Sequence, residues 1–189
     1  MSKPTKNKPS IVIAYTGEGK GKTSAALGLT LRALGAGMRV AFVQFIKTWD
    51  TSEDISIAKL AEAFPNQLTH HKEGEGFYIP DQAPDQEAHI KAALGCFDFA
   101  LQAATSGDYD LVVCDEINNA VADGLLERQH LETIIANRAK KTNLCLTGRN
   151  FPTNLIAKVD IATEMTKLKH HYDDGLSRAY YSQQYLHVH

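Results

Sequence analysis

Residues 11–24 read I-V-I-A-Y-T-G-E-G-K-G-K-T-S, and the apolar run A-A-L-G-L-T-L-R follows at residues 25–32. The β-branched stretch 11–15 predicts a buried strand, and the residues after the glycines predict a buried helix over 24–34. A glycine-rich turn between a strand and a helix is typical of a phosphate-binding loop, whose usual spacing is G-x-x-x-x-G-K-[ST]. In this chain Thr16 stands where that spacing has its first glycine.

The glycine-rich turn predicts that the chain binds a polyphosphate. Backbone N–H groups of such a turn, together with the positive end of the following helix, cradle phosphate oxygens. The glycines allow a close approach, Lys22 supplies a positive charge, and Thr23 supplies a hydroxyl for Mg²⁺. The second cation of the turn, Lys20, is either another phosphate ligand or a solvated side chain.

Downstream of this loop, apolar segments alternate with helical patterns. Further strands are predicted at residues 39–46, 111–114 and 143–146, and further helices at residues 55–64, from Pro84 onward and around Leu131. The stretch H-H-K-E-G-E-G-F-Y-I-P at residues 70–80 is predicted to be irregular. Strands that alternate with helices indicate an α/β fold with a mainly parallel central sheet flanked by helices.

Distinctive segments lie at the carboxyl ends of three of the predicted strands, at Gln44 to Lys47, at Asp115-Glu116 and at Thr147 to Arg149. Ligands of an open parallel sheet bind outside the carboxyl ends of its strands, so these segments and the glycine-rich turn are expected to form one site. An acidic residue after a buried strand is suited to holding Mg²⁺, but the spacing leaves open which of the two carboxylates does so. Arg149 is either a polyphosphate ligand or a member of a surface salt bridge.

Composition excludes several other classes of protein. The length of 189 residues predicts one domain over residues 1–189, in which the basic residues 1–10 form a mobile arm. A net charge of -2 argues against a nucleic-acid partner, and the apolar runs are too short for a membrane span. The three cysteines are widely spaced and odd in number, which favours a reducing cytoplasm over a disulfide framework. None of the eight histidines has a recognised metal-ligand spacing.

Several segments in order resemble one family. They are T-G-E-G-K-G-K-T-S-A-A from residue 16, V-Q-F-I-K from 43, V-V-C-D-E-I-N from 112, L-T-G-R from 146 and T-E-M-T-K-L-K-H-H-Y-D-D-G from 163. Over residues 11–175 the chain resembles the CobA-type ATP:corrinoid adenosyltransferases, in which threonine commonly stands at the position of Thr16. The resemblance implies a RecA-like P-loop NTPase fold, usually as a homodimer. It also implies transfer of the 5′-deoxyadenosyl group of MgATP to the cobalt of a reduced corrinoid, with release of triphosphate.

The resemblance also implies roles for individual residues. It assigns ATP binding to Gly17, Glu18, Gly19, Lys20, Gly21, Lys22, Thr23, Ser24 and Arg32, and Mg²⁺ binding to Thr23 and Glu116. Arg149 is added as an ATP-binding candidate because of its position after a strand. It assigns catalytic roles to Lys20, Lys22 and Phe77. The family often has G-F-x-W, whose aromatic pair helps to remove the lower axial ligand of cobalt. Here the stretch is Gly76-Phe77-Tyr78-Ile79, so Phe77 matches and Ile79 departs from tryptophan.

The implied chemistry needs no general base, because cobalt(I) is a strong nucleophile without a proton to lose. The electron that makes cobalt(I) is expected from an external donor such as a flavoprotein, since the sequence has no flavin or iron–sulfur signature. Two other functions stay open at this stage. One is a P-loop phosphotransferase or NTPase that breaks a bond at phosphorus, and the other is a non-catalytic ATP-dependent binding module. The sequence does not select the preferred corrinoid.

Overall fold

Six strands form one sheet in the computed structural model, which describes residues 10–47, 51–76, 78 and 85–169. The strands are β1 (Val12–Thr16), β2 (Val40–Phe45), β3 (Leu68–Glu73), β4 (Leu111–Asp115), β5 (Asn143–Thr147) and β6 (Ile161–Glu164). Their spatial order is β3-β2-β4-β5-β1-β6, and every pair of neighbours is parallel. All six carboxyl ends therefore lie at the same edge of the sheet.

Helices connect the strands and cover both faces of the sheet. They are α1 (Lys22–Gly35), α2 (Ser52–Ala63), α3 (Gln86–Ser106), α4 (Ile117–Ala122) and α5 (Arg128–Asn137), with a 3₁₀ helix at Thr153–Lys158. α1 begins directly after Gly21, whose φ of 109° lies in the left-handed region that glycine adopts without penalty. α2 begins with a capping box in which the Thr51 and Asp54 side chains satisfy backbone donors of the first turn.

The central strands are buried on both faces, as their continuous apolar sequences predict. Val43 and Val112 belong to the core cluster on the side of α3 and α5, whereas Phe42 and Val113 belong to the cluster on the side of α1 and α2. Each fully buried side chain of this size contributes roughly 1.5–3 kcal/mol of transfer free energy. This packing makes β2, β4 and β5 a rigid base for the loops at their carboxyl ends.

The predicted α/β class is confirmed, and the sheet is parallel throughout the described part of the chain. The prediction that residues 70–80 are irregular is wrong for residues 70–73, which belong to β3. That strand reads L-T-H-H-K-E and has no apolar alternation, but its polar side chains have partners at the sheet edge. The His70 ring nitrogen lies 2.7 Å from Gln44 Oε1, and Lys72 Nζ donates to Asp54 of α2 over 3.0 Å.

Three further elements were not predicted, namely α4, the 3₁₀ helix at Thr153–Lys158 and the exposed edge strand β6. The long helix predicted from Pro84 onward begins at Gln86, after the N-cap residue Asp85; Pro84 itself lies outside the described residues. So do residues 1–9 of the predicted arm. None of the helices that the structure describes is long and apolar enough to cross a membrane.

Candidate active site

A cleft of about 660 Å³ lies where β1, β2, β4 and β5 end. Its walls include the whole run from Glu18 to Ser24, together with Ile46, Lys47, Thr51, Gly76, Tyr78, Glu116, Asn119, Ala122, Asp123 and Thr147 to Asn150. The four segments that the sequence analysis placed at strand ends are therefore brought together. A volume of this size is typical of small-molecule sites.

The ammonium group of Lys22 lies within the glycine-rich loop. It donates hydrogen bonds to the carbonyl oxygens of Gly17 and Gly19, over 2.6 Å and 2.7 Å. Burial lowers the pKa of Lys22 below its usual value, and the nearby Arg149 guanidinium lowers it further. Both effects disfavour the charged form of Lys22, and an anion bound in the loop would stabilise that form.

The chain segment after β6 fixes the loop from one side. Met165 N–H donates to Thr16 O over 2.8 Å, and Gly19 N–H donates to Met165 O over 2.6 Å. The approach is so close that a Cβ atom at Gly19 would lie 2.6 Å from this carbonyl oxygen. Glycine at position 19 is therefore required by the Met165 backbone as well as by the loop itself.

Thr16 fixes the loop from the other side. Its hydroxyl oxygen accepts a hydrogen bond from Phe151 N–H over 3.1 Å, which ties the start of the loop to the segment that carries Arg149. Glycine, the usual residue at this place in a phosphate loop, has no side chain for this contact. The threonine at position 16 thus has a structural reason that the spacing alone did not show.

Asp115 lies at the centre of the polar contacts below the cleft. Its carboxylate is completely buried and accepts hydrogen bonds from Thr23 Oγ1 over 3.0 Å and from Thr147 Oγ1 over 2.7 Å. Lys47 Nζ donates to its second oxygen over 3.2 Å. Asp115 therefore joins α1, β5 and the end of β2, and it does not line the cleft itself.

Of the adjacent pair Asp115 and Glu116, Glu116 is the residue that lines the cleft. Its φ of 65° is unusual for a residue other than glycine, and its N–H donates to Thr147 Oγ1 over 3.0 Å. Burial raises the pKa of Glu116 above its usual value, although the Lys47 ammonium opposes this shift. A carboxylate whose charge is costly in this way gains from a cation in the cleft.

The oxygen atoms at this point fit the magnesium ion that the sequence resemblance implies. The Thr23 hydroxyl and the Glu116 carboxylate belong to residues that line the same cleft, and oxygen is the ligand that Mg²⁺ prefers. Within the described residues, no group of three or more histidine, cysteine or acidic side chains is arranged to hold a metal. The nucleotide would therefore have to complete the coordination, as is usual for Mg²⁺ in phosphate sites.

The two arginines assigned to ATP lie in different places. Arg149 lines the cleft and forms an ion pair with Glu18 over 3.3 Å, so it is both a cleft residue and a member of an exposed salt bridge. Arg32 lies in the last turn of α1, is exposed and does not line the cleft. At the usual rise of an α-helix it is about 15 Å from Lys22 along the helix axis.

The aromatic segment of the sequence is described only at Tyr78. This residue lines the cleft, is buried, and packs its ring against that of His89 with a centroid distance of 5.1 Å. Phe77, to which the resemblance assigns a catalytic role, and Ile79 lie outside the described residues. The role of Phe77 accordingly stays a prediction.

Sequence reasoning gave no role to three residues that organise the cleft, namely Lys47, Thr147 and Met165. Lys47 and Thr147 each belong to a polar segment at a strand end, so their position was a usable signal for both. Nothing in the sequence near Met165 indicates that its backbone contacts the glycine-rich loop.

Comparisons with known proteins agree with this geometry. The family model for ATP:corrinoid adenosyltransferase BtuR/CobO/CobP matches residues 8–180. The chain belongs to this family. It is 35% identical over 167 residues to a corrinoid adenosyltransferase of Pseudomonas aeruginosa, a match that covers 88% of this chain and 79% of that protein. It is 30% identical to a corrinoid adenosyltransferase of Escherichia coli and 31% identical to corrinoid adenosyltransferase CobA of Salmonella typhimurium, each match covering 88% of this chain and 81% of the relative.

Membership of the adenosyltransferase family confirms the resemblance found in the sequence and the class of enzyme expected from it. It favours neither of the alternatives, a phosphotransferase or a non-catalytic binding module. The family description names ATP and a corrinoid as the two substrates. The roles of single residues in this chain are a separate matter and are taken up below.

Gly19→Ala is expected to damage the site of this adenosyltransferase. The new Cβ would meet a backbone carbonyl that cannot rotate away, so the loop must shift; we expect a loss of about 1–3 kcal/mol in unfolding free energy. ATP affinity, measured by calorimetric titration, should fall by about tenfold or more, which corresponds to 1.4 kcal/mol. Gly28→Ala on α1 is the matched control, because a Cβ there meets nothing within 4 Å. Equal effects of the two substitutions would contradict the role of the Met165 contact.

Glu116→Gln is expected to stabilise the fold at neutral pH and to weaken magnesium-dependent ATP binding. Because the folded-state pKa of Glu116 is raised, its ionised form lowers stability above that pKa. The advantage of the variant over the wild type should shrink as pH falls through the folded-state pKa, and should level off below the ordinary value for glutamate of about 4.3. Urea denaturation at a series of pH values measures this. If the unfolding free energies of the two proteins differ by the same amount at every pH, the raised pKa of Glu116 is refuted.

Proposed function

We propose that this protein transfers the 5′-deoxyadenosyl group of MgATP to the cobalt of a reduced corrinoid and releases triphosphate, in the biosynthesis or salvage of adenosylcobalamin. The observation that carries this proposal is a fixed phosphate loop with two lysines, placed beside the hydroxyl of Thr23 and the carboxylate of Glu116 in one cleft. Family membership supplies the reaction class. The lysines, the hydroxyl and the carboxylate in the cleft support binding of a negatively charged triphosphate together with its metal ion.

The triphosphate is proposed to bind along the loop from Gly17 to Ser24. Backbone N–H groups and the amino end of α1 would hold its oxygens, and Lys20 and Lys22 would balance its charge. Arg149 is proposed to join them, since its guanidinium is paired with Glu18 of the loop and a triphosphate would offer it a more highly charged partner. Arg32 is kept as an ATP-binding residue on the resemblance alone.

Thr23 and Glu116 are proposed to hold the magnesium ion, which would help to neutralise the charge of the triphosphate. Asp115 acts one step behind them. Its hydrogen bond to the Thr23 hydroxyl orients that oxygen, and its own burial keeps it out of direct contact with the cleft.

The reaction itself needs alignment and charge neutralisation, and it needs no proton transfer. Cobalt(I) donates an electron pair to C5′, the cobalt–carbon bond forms, and the bond between C5′ and the triphosphate oxygen breaks. That oxygen keeps the bonding pair, and cobalt is formally oxidised from +1 to +3.

Several further properties belong to the same proposal. A cobalt(II) corrinoid would be reduced by one electron from an external donor such as a flavoprotein. We propose a cytoplasmic homodimer in which each chain has a single catalytic domain over residues 1–189. No nucleic acid or membrane takes part in the proposed reaction.

The proposal predicts the products of a simple assay. Purified protein supplied with MgATP and chemically reduced cobalamin should form a cobalt–carbon bond and should release an equal amount of triphosphate. The light-sensitive absorption spectrum of the product measures formation of this bond. Lys22→Ala should keep the fold and lose ATP binding, because it removes the charge that lies inside the loop.

Other product patterns would support the alternatives. Release of ADP or single phosphates without a cobalt–carbon bond would favour a phosphotransferase or NTPase. A stable ATP complex without turnover, tested with several reduced corrinoids, would favour a binding module. The same set of corrinoids identifies the preferred substrate.

Phe77→Ala should slow the reaction from cobalt(II) more than the reaction from pre-formed cobalt(I). The resemblance gives Phe77 the task of displacing the lower axial ligand, and a lower coordination number makes reduction to cobalt(I) easier. Stopped-flow absorption with each starting state measures the two rates. Equal slowing of both reactions would argue against this task.

A further inference from the structure

Lys47 lies within a group of three carboxylates that belong to two different elements. Its ammonium nitrogen is 3.2 Å from Glu53 Oε1 of α2, 3.2 Å from Asp115 Oδ2 at the end of β4 and 3.8 Å from Glu116 Oε1 beside it. The lysine side chain is only 14% exposed, and the Asp115 side chain is completely buried. The positive charge therefore lies directly beside the oxygens that are proposed to receive and support a metal ion.

The backbone before Lys47 is held in an unfavourable conformation. Ile46 has a φ of 73°, which is a genuine outlier for a β-branched residue. Lys47 N–H donates to Phe45 O, two residues back, over 2.8 Å, so the chain makes a γ-turn of the rare form with positive φ. Strain of this kind persists only where the surroundings enforce it and a specific placement results from it.

The surroundings do enforce this turn. Gly76 N–H donates to Ile46 O over 3.1 Å, and the backbone of Ile46 packs so tightly on Gly74 that a Cβ atom there would overlap it. The turn redirects the chain at the end of β2, where the next side chain points across the edge of the sheet to β4. The strained residue and its supports thus have one evident result, the position of the Lys47 ammonium.

The position of this ammonium decides what the carboxylates can bind. Glu53, Asp115 and Glu116 are not arranged to coordinate a metal together, but their summed negative charge favours a cation in the cleft beside Glu116, and Lys47 neutralises part of that charge. A unit positive charge about 5 Å from a divalent ion weakens its binding by about tenfold even at the dielectric constant of water. A triphosphate adds negative charge and new oxygen ligands on the open side, and so restores the attraction.

We propose that Lys47 is a positioning residue which neutralises the acidic end of β4, so that a divalent metal ion binds there only together with the nucleotide. This inference rests on the proposed function in so far as the nucleotide is a triphosphate bound with magnesium. In thermodynamic terms, Lys47 increases the coupling between metal and nucleotide. It also prevents the three carboxylates from repelling one another before the substrates arrive.

Direct binding of Mn²⁺, which accepts the same oxygen ligands as Mg²⁺, tests the proposal without any turnover. Electron paramagnetic resonance measures free Mn²⁺ in the presence of the protein, with and without ATP. Lys47→Met should bind Mn²⁺ without nucleotide at least about tenfold more tightly than the wild type does. The ratio of Mn²⁺ affinities with and without ATP should fall by a similar factor. An unchanged or weaker affinity of the variant, with an unchanged ratio, would overturn the proposal.

Two control variants separate charge from structure. Lys47→Arg keeps the positive charge and should bind Mn²⁺ as weakly as the wild type; tight binding by this variant would contradict the argument. Lys72→Met removes a lysine that is equally buried, 15% exposed, and that also forms an ion pair with α2, through Asp54. It should change Mn²⁺ affinity much less than Lys47→Met does, because Lys72 has no ion pair with Asp115 or Glu116 among the described contacts, and β2 lies between its strand and β4.

A second measurement covers the case in which Lys47→Met does not fold, judged by its near-ultraviolet circular dichroism. In wild-type protein with isotope-labelled lysines, the Lys47 side-chain signal, assigned through Lys47→Arg, should shift more with Mg²⁺ and ATP together than with ATP alone. Equal shifts would overturn the proposal. If the Mn²⁺ affinities change as expected but the wild-type protein transfers no adenosyl group, the proposed function is refuted and the electrostatic role of Lys47 remains supported.

Discussion

The buried carboxylate of Asp115 is the constraint on which the rest of the site depends. A charge without contact with solvent must be paired and hydrogen-bonded, and Asp115 receives the hydroxyls of Thr23 and Thr147 and the ammonium of Lys47. These donors come from α1, from β5 and from the end of β2, and only the strand order permits this. Because β4 lies between β2 and β5, its carboxyl end is reached from both sides. Loss of one donor would weaken the hydrogen bonding and charge compensation of this buried carboxylate, at a cost of about 1–3 kcal/mol.

Local sequence signals were sufficient for the central part of the fold and for half of the site. Strands β1, β2, β4 and β5 could be predicted because burial on both faces requires a continuous apolar sequence. The loop could be predicted from its glycines and lysines. The edge strand β3 could not be predicted, since its polar side chains bind partners such as Gln44 and Asp54 that come close only in the folded chain. The Met165 contact could not be predicted either, because every residue type has the backbone carbonyl that makes it.

Backbone strain in this protein is concentrated at the cleft. The described residues include four with positive φ that are not glycine, and three of these, Ile46, Glu116 and Asn150, line the cleft. Such conformations cost of order 1–3 kcal/mol each and are kept where they place a functional group. Ile46 directs Lys47, and Glu116 presents its own carboxylate while its N–H reaches Thr147. The rigid, buried ends of β2 and β4 supply the packing that sustains this strain.

The way in which the glycine-rich loop is fixed fits the bond that the enzyme breaks. Met165 contacts the loop on one side, and Thr16 links it to Phe151 on the other, so the protein itself occupies positions around the loop. An enzyme that attacks phosphorus must leave room beside its loop for an acceptor or a water molecule. An enzyme that breaks the C5′–O bond has no such need, since the proposed task of its loop is only to hold the departing triphosphate. The Met165 contact fixes the backbone of the loop before the substrate binds, so that Lys22 Nζ only has to exchange the carbonyl oxygens of Gly17 and Gly19 for those of the anion.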